Sequence, residues 1–212
     1  SEQIYDPTRD YAIKIAKMCK KLGIQFIYPS SCSVYGAADD TSLSEESKTN
    51  PQTPYSINKL QVEDGLSSLA DKSFSPIALR FGTVYGLSPR IRFDVVINML
   101  CGLVLTTKKI KLNSNGMAWR PHLHIDDVCE SFRCCIDWNP KCGDLTILNV
   151  GQNEDNFRVI DIAKIIQSNV EGSELNYLDG NIDNKVNDLV KDRKIQDGVD
   201  TRSYIVSFDK IH

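Results

Sequence analysis

Two stretches of this chain join a helix signal directly to a short, almost wholly apolar run, and that pairing constrains the fold more than any other feature. Asp6-Pro7 reads as an N-cap followed by proline at the first helical position, and Gly23 after Lys20, Lys21 and Leu22 reads as a stop, so a helix is expected over 7–22. Ile24-Gln25-Phe26-Ile27-Tyr28 follows at once, β-branched and aromatic, as expected of a strand buried on both faces of a parallel sheet. The unit repeats: Thr53-Pro54 opens a predicted helix running to about residue 70, and residues 75–81 (Ser-Pro-Ile-Ala-Leu-Arg-Phe) read as a second buried strand. Further helices are expected at 91–103, 126–138 and 157–168, with strands at 109–112, 145–150 and 174–178. Residues 179–200 are polar and read as an exposed connection. Helix and strand alternating in this way is the pattern of an α/β fold.

Charge and composition narrow the function. The 212 residues carry a net charge of −3 with both signs mixed along the chain, which argues against a nucleic-acid partner. No apolar run approaches the roughly 20 residues of a membrane span, and the first residues have no signal-peptide character, so a soluble, cytoplasmic protein is expected. Seven cysteines form no C-x-x-C pair, so neither a disulfide framework nor a metal site is expected.

The chemistry concentrates where the first strand ends, in Ser30-Ser31-Cys32-Ser33-Val34-Tyr35-Gly36. In open α/β sheets ligands bind beyond the carboxyl ends of the strands, so hydroxyl groups there face a site, although serines in such places also serve as turn formers. Tyr55-Ser56-Ile57-Asn58-Lys59 adds a phenol and an ammonium four residues apart on one helix, hence on one face. A tyrosine with a pKa near 10 is a poor base at neutral pH, and a lysine cation held close lowers that value. Tyr55 then exchanges a proton with a hydroxyl while hydride moves to or from a nicotinamide. His124 and Asp126-Asp127 invite a metal or catalytic reading, but His124 on a short strand with Asp126 capping the next helix accounts for them, and His122 carries no assigned role.

Phe26-Ile27-Tyr28-Pro29-Ser30-Ser31 with Val34-Tyr35-Gly36, Pro54-Tyr55-Ser56-Ile57-Asn58-Lys59, Leu79-Arg80-Phe81-Gly82-Thr83-Val84-Tyr85-Gly86 and Arg120-Pro121-His122-Leu123-His124-Ile125-Asp126-Asp127-Val128 occur in this order. Together they resemble the NAD-dependent epimerase/dehydratase family of extended short-chain dehydrogenases, enzymes of nucleotide sugars. The resemblance implies part of a Rossmann-like doubly wound parallel sheet with a smaller C-terminal α/β substrate-binding region. On it, residues 1–90 are the C-terminal part of the NAD(P)-binding domain, and 91–212 mainly bind substrate, with 119–150 partly returning to the Rossmann core. It implies Ser31, Tyr55 and Lys59 as the catalytic set. Ser30, Tyr55, Lys59, Phe81 and Val84 are implied at the cofactor, and Cys32, Ser33, Thr83, Arg120 and Arg202 at the substrate. Arg120 matches the arginine that meets the nucleotide diphosphate, Arg202 being a second such candidate; for each the alternative is a surface salt bridge. The cofactor implied is NAD, with NADP open, and helices 7–22 and 54–70 are implied as a homodimer face.

The sequence departs from the family pattern in three places. Neither G-x-G-x-x-G nor G-x-x-G-x-x-G occurs, so the glycine-rich seat of the cofactor's adenine half is missing and the chain is expected to be part of a longer protein. The Asp-Glu pair that follows the catalytic hydroxyl in the family's sugar dehydratases is replaced by Cys32 and Ser33, which favours epimerisation over water elimination. Thr83 stands where many relatives carry an asparagine, which leaves the sugar open. The expectation is a nucleotide-sugar epimerase, with a reductase, a dehydratase and a non-catalytic module as alternatives.

Overall fold

In the computed structural model, residues 2–36, 42–112, 114–138, 140, 142–177 and 203–211 are described. Helix α1 (Glu2–Leu22) is followed by strand β1 (Ile27–Ser31), a single 3-10 turn (Cys32–Tyr35) and the two-residue strand β2 (Ser42–Leu43). Then come α2 (Pro54–Leu69), β3 (Ile77–Phe81), β4 (Thr83–Tyr85), α3 (Val96–Thr107), β5 (Lys109–Leu112) and β6 (Trp119–His124). The remainder is α4 (Ile125–Asp137), β7 (Thr146–Val150), β8 (Asn156–Arg158), α5 (Val159–Ser168), β9 (Glu174–Tyr177) and β10 (Ile205–Val206). The connection expected at 179–200 lies outside the described residues.

The main sheet is parallel, in the order β1-β3-β7, with Ile27 opposite Ile77 and Ile77 opposite Thr146. Helices cover both of its faces. On one, Tyr28 packs with Ala16 of α1 and with Val62 and Leu66 of α2. On the other, Ile77, Leu79, Phe81, Leu148 and Val150 meet Cys135, Val128 and Phe132 of α4. All five residues of β3 are buried, as its central place in the sheet requires, Arg80 included. A second core joins α3 and α5 to the parallel pair β5-β9, and a small mixed sheet runs β4-β6-β8.

Local chemistry explains most boundaries. Thr53 caps α2 through a reciprocal box: its Oγ1 accepts from the Ser56 N–H at 3.1 Å and its own N–H donates to Ser56 Oγ at 3.0 Å. Gly23, at φ 68°, closes α1 as expected. The first strand begins three residues later than its composition predicts, because the Ile24 N–H is still bonded to the Cys19 carbonyl at 2.9 Å and belongs to the helix end. Pro7 lies inside α1 instead of opening it: the helix continues upstream, and the Thr8 hydroxyl donates to the Tyr5 carbonyl at 2.7 Å. Helix α3 starts at Val96 and not at 91, since the Asn98 side chain ties down the preceding loop by accepting from Gly86 N–H and donating to the Arg92 carbonyl. His124, not Asp126, caps α4, its Nδ1 accepting the Asp126 N–H at 3.3 Å. Residues 157 and 158, expected within a helix, belong instead to β8, which pairs with β6.

Two positions carry measurable strain or cost. Gly36 ends the 3-10 turn at φ 70°, ψ −136°, and a Cβ there would lie 1.7 Å from the Asn50 carbonyl oxygen. Gly36→Ala should therefore cost about 2–5 kcal/mol, summing backbone strain and overpacking, read as a lower urea midpoint. His122, on β6 opposite Thr83, is 1% exposed, and neither ring nitrogen has a hydrogen-bond partner. Burial, then the neighbouring Arg120 charge, lowers its pKa to about 4. A base with a folded pKa below its unfolded value of 6.5 binds fewer protons when folded. Its contribution to stability is thus intact above pH 6.5 and lost as pH falls toward 4, by about 3 kcal/mol. His122→Phe should flatten the fall in urea midpoint across that window.

Candidate active site

Ser31 is the last residue of β1, at the carboxyl end of the sheet, and caps the turn that follows by accepting the Ser33 N–H at 3.2 Å. Tyr55 is in the first turn of α2, directly after Pro54, so its side chain leans back past the helix N-terminus toward that strand end. The Ser31 side chain is near enough to the Tyr55 hydroxyl to act on it, in the direction that lowers its pKa. Lys59, one turn further along α2, places Nζ 5.5 Å from the Tyr55 ring centroid and 4.8 Å from that of Tyr28. The ammonium donates to the Pro29 carbonyl at 2.6 Å. Strand β1 and helix α2 therefore bring Ser31, Tyr55 and Lys59 together as the Y-x-x-x-K spacing led one to expect.

The electrostatics differ from the simple expectation of an acidified phenol. Burial is the largest influence on Tyr55 and raises its pKa; the Ser31 side chain and the Arg92 charge act in the lowering direction without overcoming it. The Lys59 pKa is lowered, again mainly by burial, with the Glu63 carboxylate opposing. Both side chains are thus pushed toward their neutral forms, and the Lys59 cation is engaged by a backbone carbonyl. Arg92, in the loop before α3 and ion-paired with Asp94 at 2.6 Å, is a charge near the phenol that motif reading did not identify. Nothing in its sequence context signals it, since the Asn98 ties place the loop only in three dimensions.

Other candidates are distributed unevenly. Ser30 points to the opposite face of β1 from Ser31: it is 3% exposed and its hydroxyl donates to Glu63. Cys32 is buried with its thiol on the Arg80 carbonyl at 3.2 Å, and burial raises its pKa. Neither side chain opens toward the Tyr55 hydroxyl. Ser33 Oγ is buried without a partner. Phe81 packs against the Phe132 ring of α4 at 5.7 Å, and Val84 joins the same core. Thr83 and Arg120 are on the small sheet, where Thr83 lies opposite His122. Arg120 donates to the Trp119 carbonyl at 2.7 Å with its guanidinium 5.6 Å from the Tyr204 ring centroid. Arg202 lies outside the described residues, and among those residues no cluster fit to hold a metal occurs.

Behind the site runs a buried polar row that the sequence reading passed over. Ser30, Arg80 and Asn149 are aligned in register across β1, β3 and β7. Arg80 forks onto Glu63 of α2, Nε to Oε1 at 3.1 Å and Nη2 to Oε2 at 2.6 Å, and donates from Nη1 to the Tyr35 hydroxyl at 2.9 Å. Tyr35 in turn donates to Asn149 Oδ1 at 2.7 Å. Glu63 and Arg80 are 2% and 3% exposed, so this is an ion pair removed from water. Its signal was available: Glu63 continues the i, i+4 series of Tyr55 and Lys59, and Arg80 is a charge inside an otherwise apolar strand.

Residues 1–151 match the family described as NAD dependent epimerase/dehydratase. The chain is 29% identical over 171 residues to the human (Homo sapiens) dTDP-D-glucose 4,6-dehydratase, a match covering 78% of this chain and 47% of that protein. It is 28% identical over 156 residues to the uncharacterized UDP-glucose epimerase YtcB of Bacillus subtilis (strain 168), covering 72% and 48%. The chain thus spans about half the length of the curated relatives it matches. Among solved structures, the dTDP-glucose 4,6-dehydratase of Bacillus anthracis str. Ames in complex with NAD superposes with a TM-score of 0.75 at 20% identity, covering 99% of this chain and 61% of that one. A UDP-N-acetylglucosamine 4-epimerase from Methanobrevibacter ruminantium M1 gives 0.73 at 20% identity, covering 95% and 60%. These likenesses show a shared Rossmann-like α/β fold, and the match over 1–151 shows more: the chain belongs to the NAD dependent epimerase/dehydratase family.

Proposed function

We propose that this chain carries the catalytic and substrate-binding residues of an NAD-dependent nucleotide-sugar epimerase, with Ser31, Tyr55 and Lys59 as its catalytic set. The observation that supports this most is the grouping of Ser31, at a strand's carboxyl end, with Tyr55 and with the Lys59 ammonium beside the same phenol. The set fits the nicotinamide half of the cofactor: one Lys59 proton is used on Pro29, leaving two donors for ribose hydroxyls. NAD bound here supplies a hydride acceptor that can return the hydride to the opposite face of the sugar. Tyr55 takes the proton of the reacting hydroxyl and gives it back, while Ser31, its own oxygen held by the Ser33 N–H, orients that hydroxyl. Because burial leaves Tyr55 protonated at rest, the charge of Lys59 has to bear on the phenol for it to act as a base. Arg120 and Thr83 are proposed at the substrate, Arg120 on its diphosphate.

A dehydratase is the second reading, favoured by the name of the human relative. Removing water needs an acid for the departing hydroxyl, and the positions after Ser31 hold a buried thiol and a hydroxyl, so epimerisation is preferred.

The test uses the full-length protein with NAD and either UDP-glucose or dTDP-glucose. An epimerase changes the sugar's configuration by NMR with no loss of water by mass spectrometry and no net NADH. Tyr55→Phe should lower kcat/KM by about 10²–10⁴-fold, and a parental rate in that variant overturns the assignment of the catalytic set. Lys59→Met removes a positive charge from the phenol, raises its pKa, and should move the acid limb of the pH–rate profile to higher pH.

A further inference from the structure

Glu63 creates a problem for the site that Arg80 solves. One side of α2 presents Tyr55, Lys59 and Glu63 at successive turns, from exposed to buried, so a carboxylate sits one turn from the ammonium that the phenol needs. A free carboxylate there would draw Lys59 down the helix and place a negative charge near the developing phenolate. It is instead occupied on both oxygens, by the Arg80 fork and by the Ser30 hydroxyl. Arg80 is itself fixed by Tyr35, and Lys59 turns to the Pro29 carbonyl on β1 rather than to Glu63.

Resting on the catalytic set proposed above, we propose that Arg80 is a positioning residue: its buried pair with Glu63 offsets part of the carboxylate's charge beside Lys59, leaving the ammonium to Tyr55. The same pair, through Ser30, holds the strand end that presents Ser31. The charged and titratable groups around Lys59 are Tyr28 of β1 and Tyr55 and Glu63 of α2, with Arg80 of β3 behind Glu63 as its partner. Beyond Tyr55 stand Tyr5 of α1, its ring 6.4 Å from that of Tyr55, and Arg92 of the loop before α3. Of these, Glu63 is the one whose charge raises the Lys59 pKa.

Three variants of the full-length protein test this: Glu63→Gln, Arg80→Gln and the double variant. Lys59 is titrated by NMR in protein labelled with ¹³C at the lysine ε carbons, its signal assigned by loss in Lys59→Arg. Glu63→Gln should move the Lys59 titration to lower pH and Arg80→Gln to higher pH, with the double variant close to the parent. In the activity assay, Arg80→Gln should cost roughly ten-fold or more in kcat with KM little changed, and the double variant should recover part of it, as expected when a charge and not only packing is at stake. A Lys59 titration unmoved in Glu63→Gln, or a double variant shifted as far as Glu63→Gln alone, overturns the proposal, and those two variants suffice if Arg80→Gln does not fold. Since the titration needs no substrate, it stands or falls separately from the Tyr55→Phe result.

Discussion

An ion pair shut away from water joins the two halves of the site. Taking Glu63 and Arg80 out of solvent is costly, and the cost is offset only when each remaining donor and acceptor finds a partner. Here Ser30, Tyr35 and Asn149 provide them, and these side chains come from two strands, β1 and β7, and from the turn that follows β1. The result is a polar layer inside an α/β core, sandwiched between the sheet and α2. It ties the helix carrying Tyr55 and Lys59 to the strand carrying Ser31, so the geometry of the proposed catalytic set inherits the rigidity of the interior.

That layer also explains the division of labour between adjacent serines. Side chains alternate along a strand, so Ser30 and Ser31 face opposite sides of β1. One is consumed by the buried network and the other remains at the strand end with a single backbone donor on its oxygen. A run of hydroxyl residues thus contributes one group to structure and one to the site. The partition follows from strand parity and not from chemical type.

The α/β alternation and the helix carrying Tyr55 and Lys59 were legible because local signals decide them: Thr53-Pro54 caps α2, and continuous apolar runs mark β3 and β7. Boundaries failed where the deciding bond is not local. The start of β1 was misplaced by a helix-closing bond from Ile24 to Cys19, and the start of α3 by Asn98 reaching back to the loop. Asp126 looked like a cap, yet the Nδ1 of His124 two residues earlier is placed to accept the Asp126 N–H. Motif spacing put Tyr55 and Lys59 on one face of a helix, but not the direction of the Tyr55 shift, which depends on what the fold sets around the phenol. Arg92 and the Arg80–Glu63 pair were missed for a related reason: a charge acquires its role from what tertiary structure sets opposite it.

The position of Tyr55 within α2 has a consequence of its own. The peptide dipoles of a helix sum to roughly half a positive charge at its N-terminus, worth about 0.3–1 kcal/mol to an anion nearby. Tyr55 occupies the first turn of a sixteen-residue helix, and its ring reaches back over that end. The backbone itself therefore lends the phenolate a built-in counter-charge that no side-chain substitution can remove. A tyrosine set one turn deeper in the same helix would keep a lysine neighbour and forfeit this field.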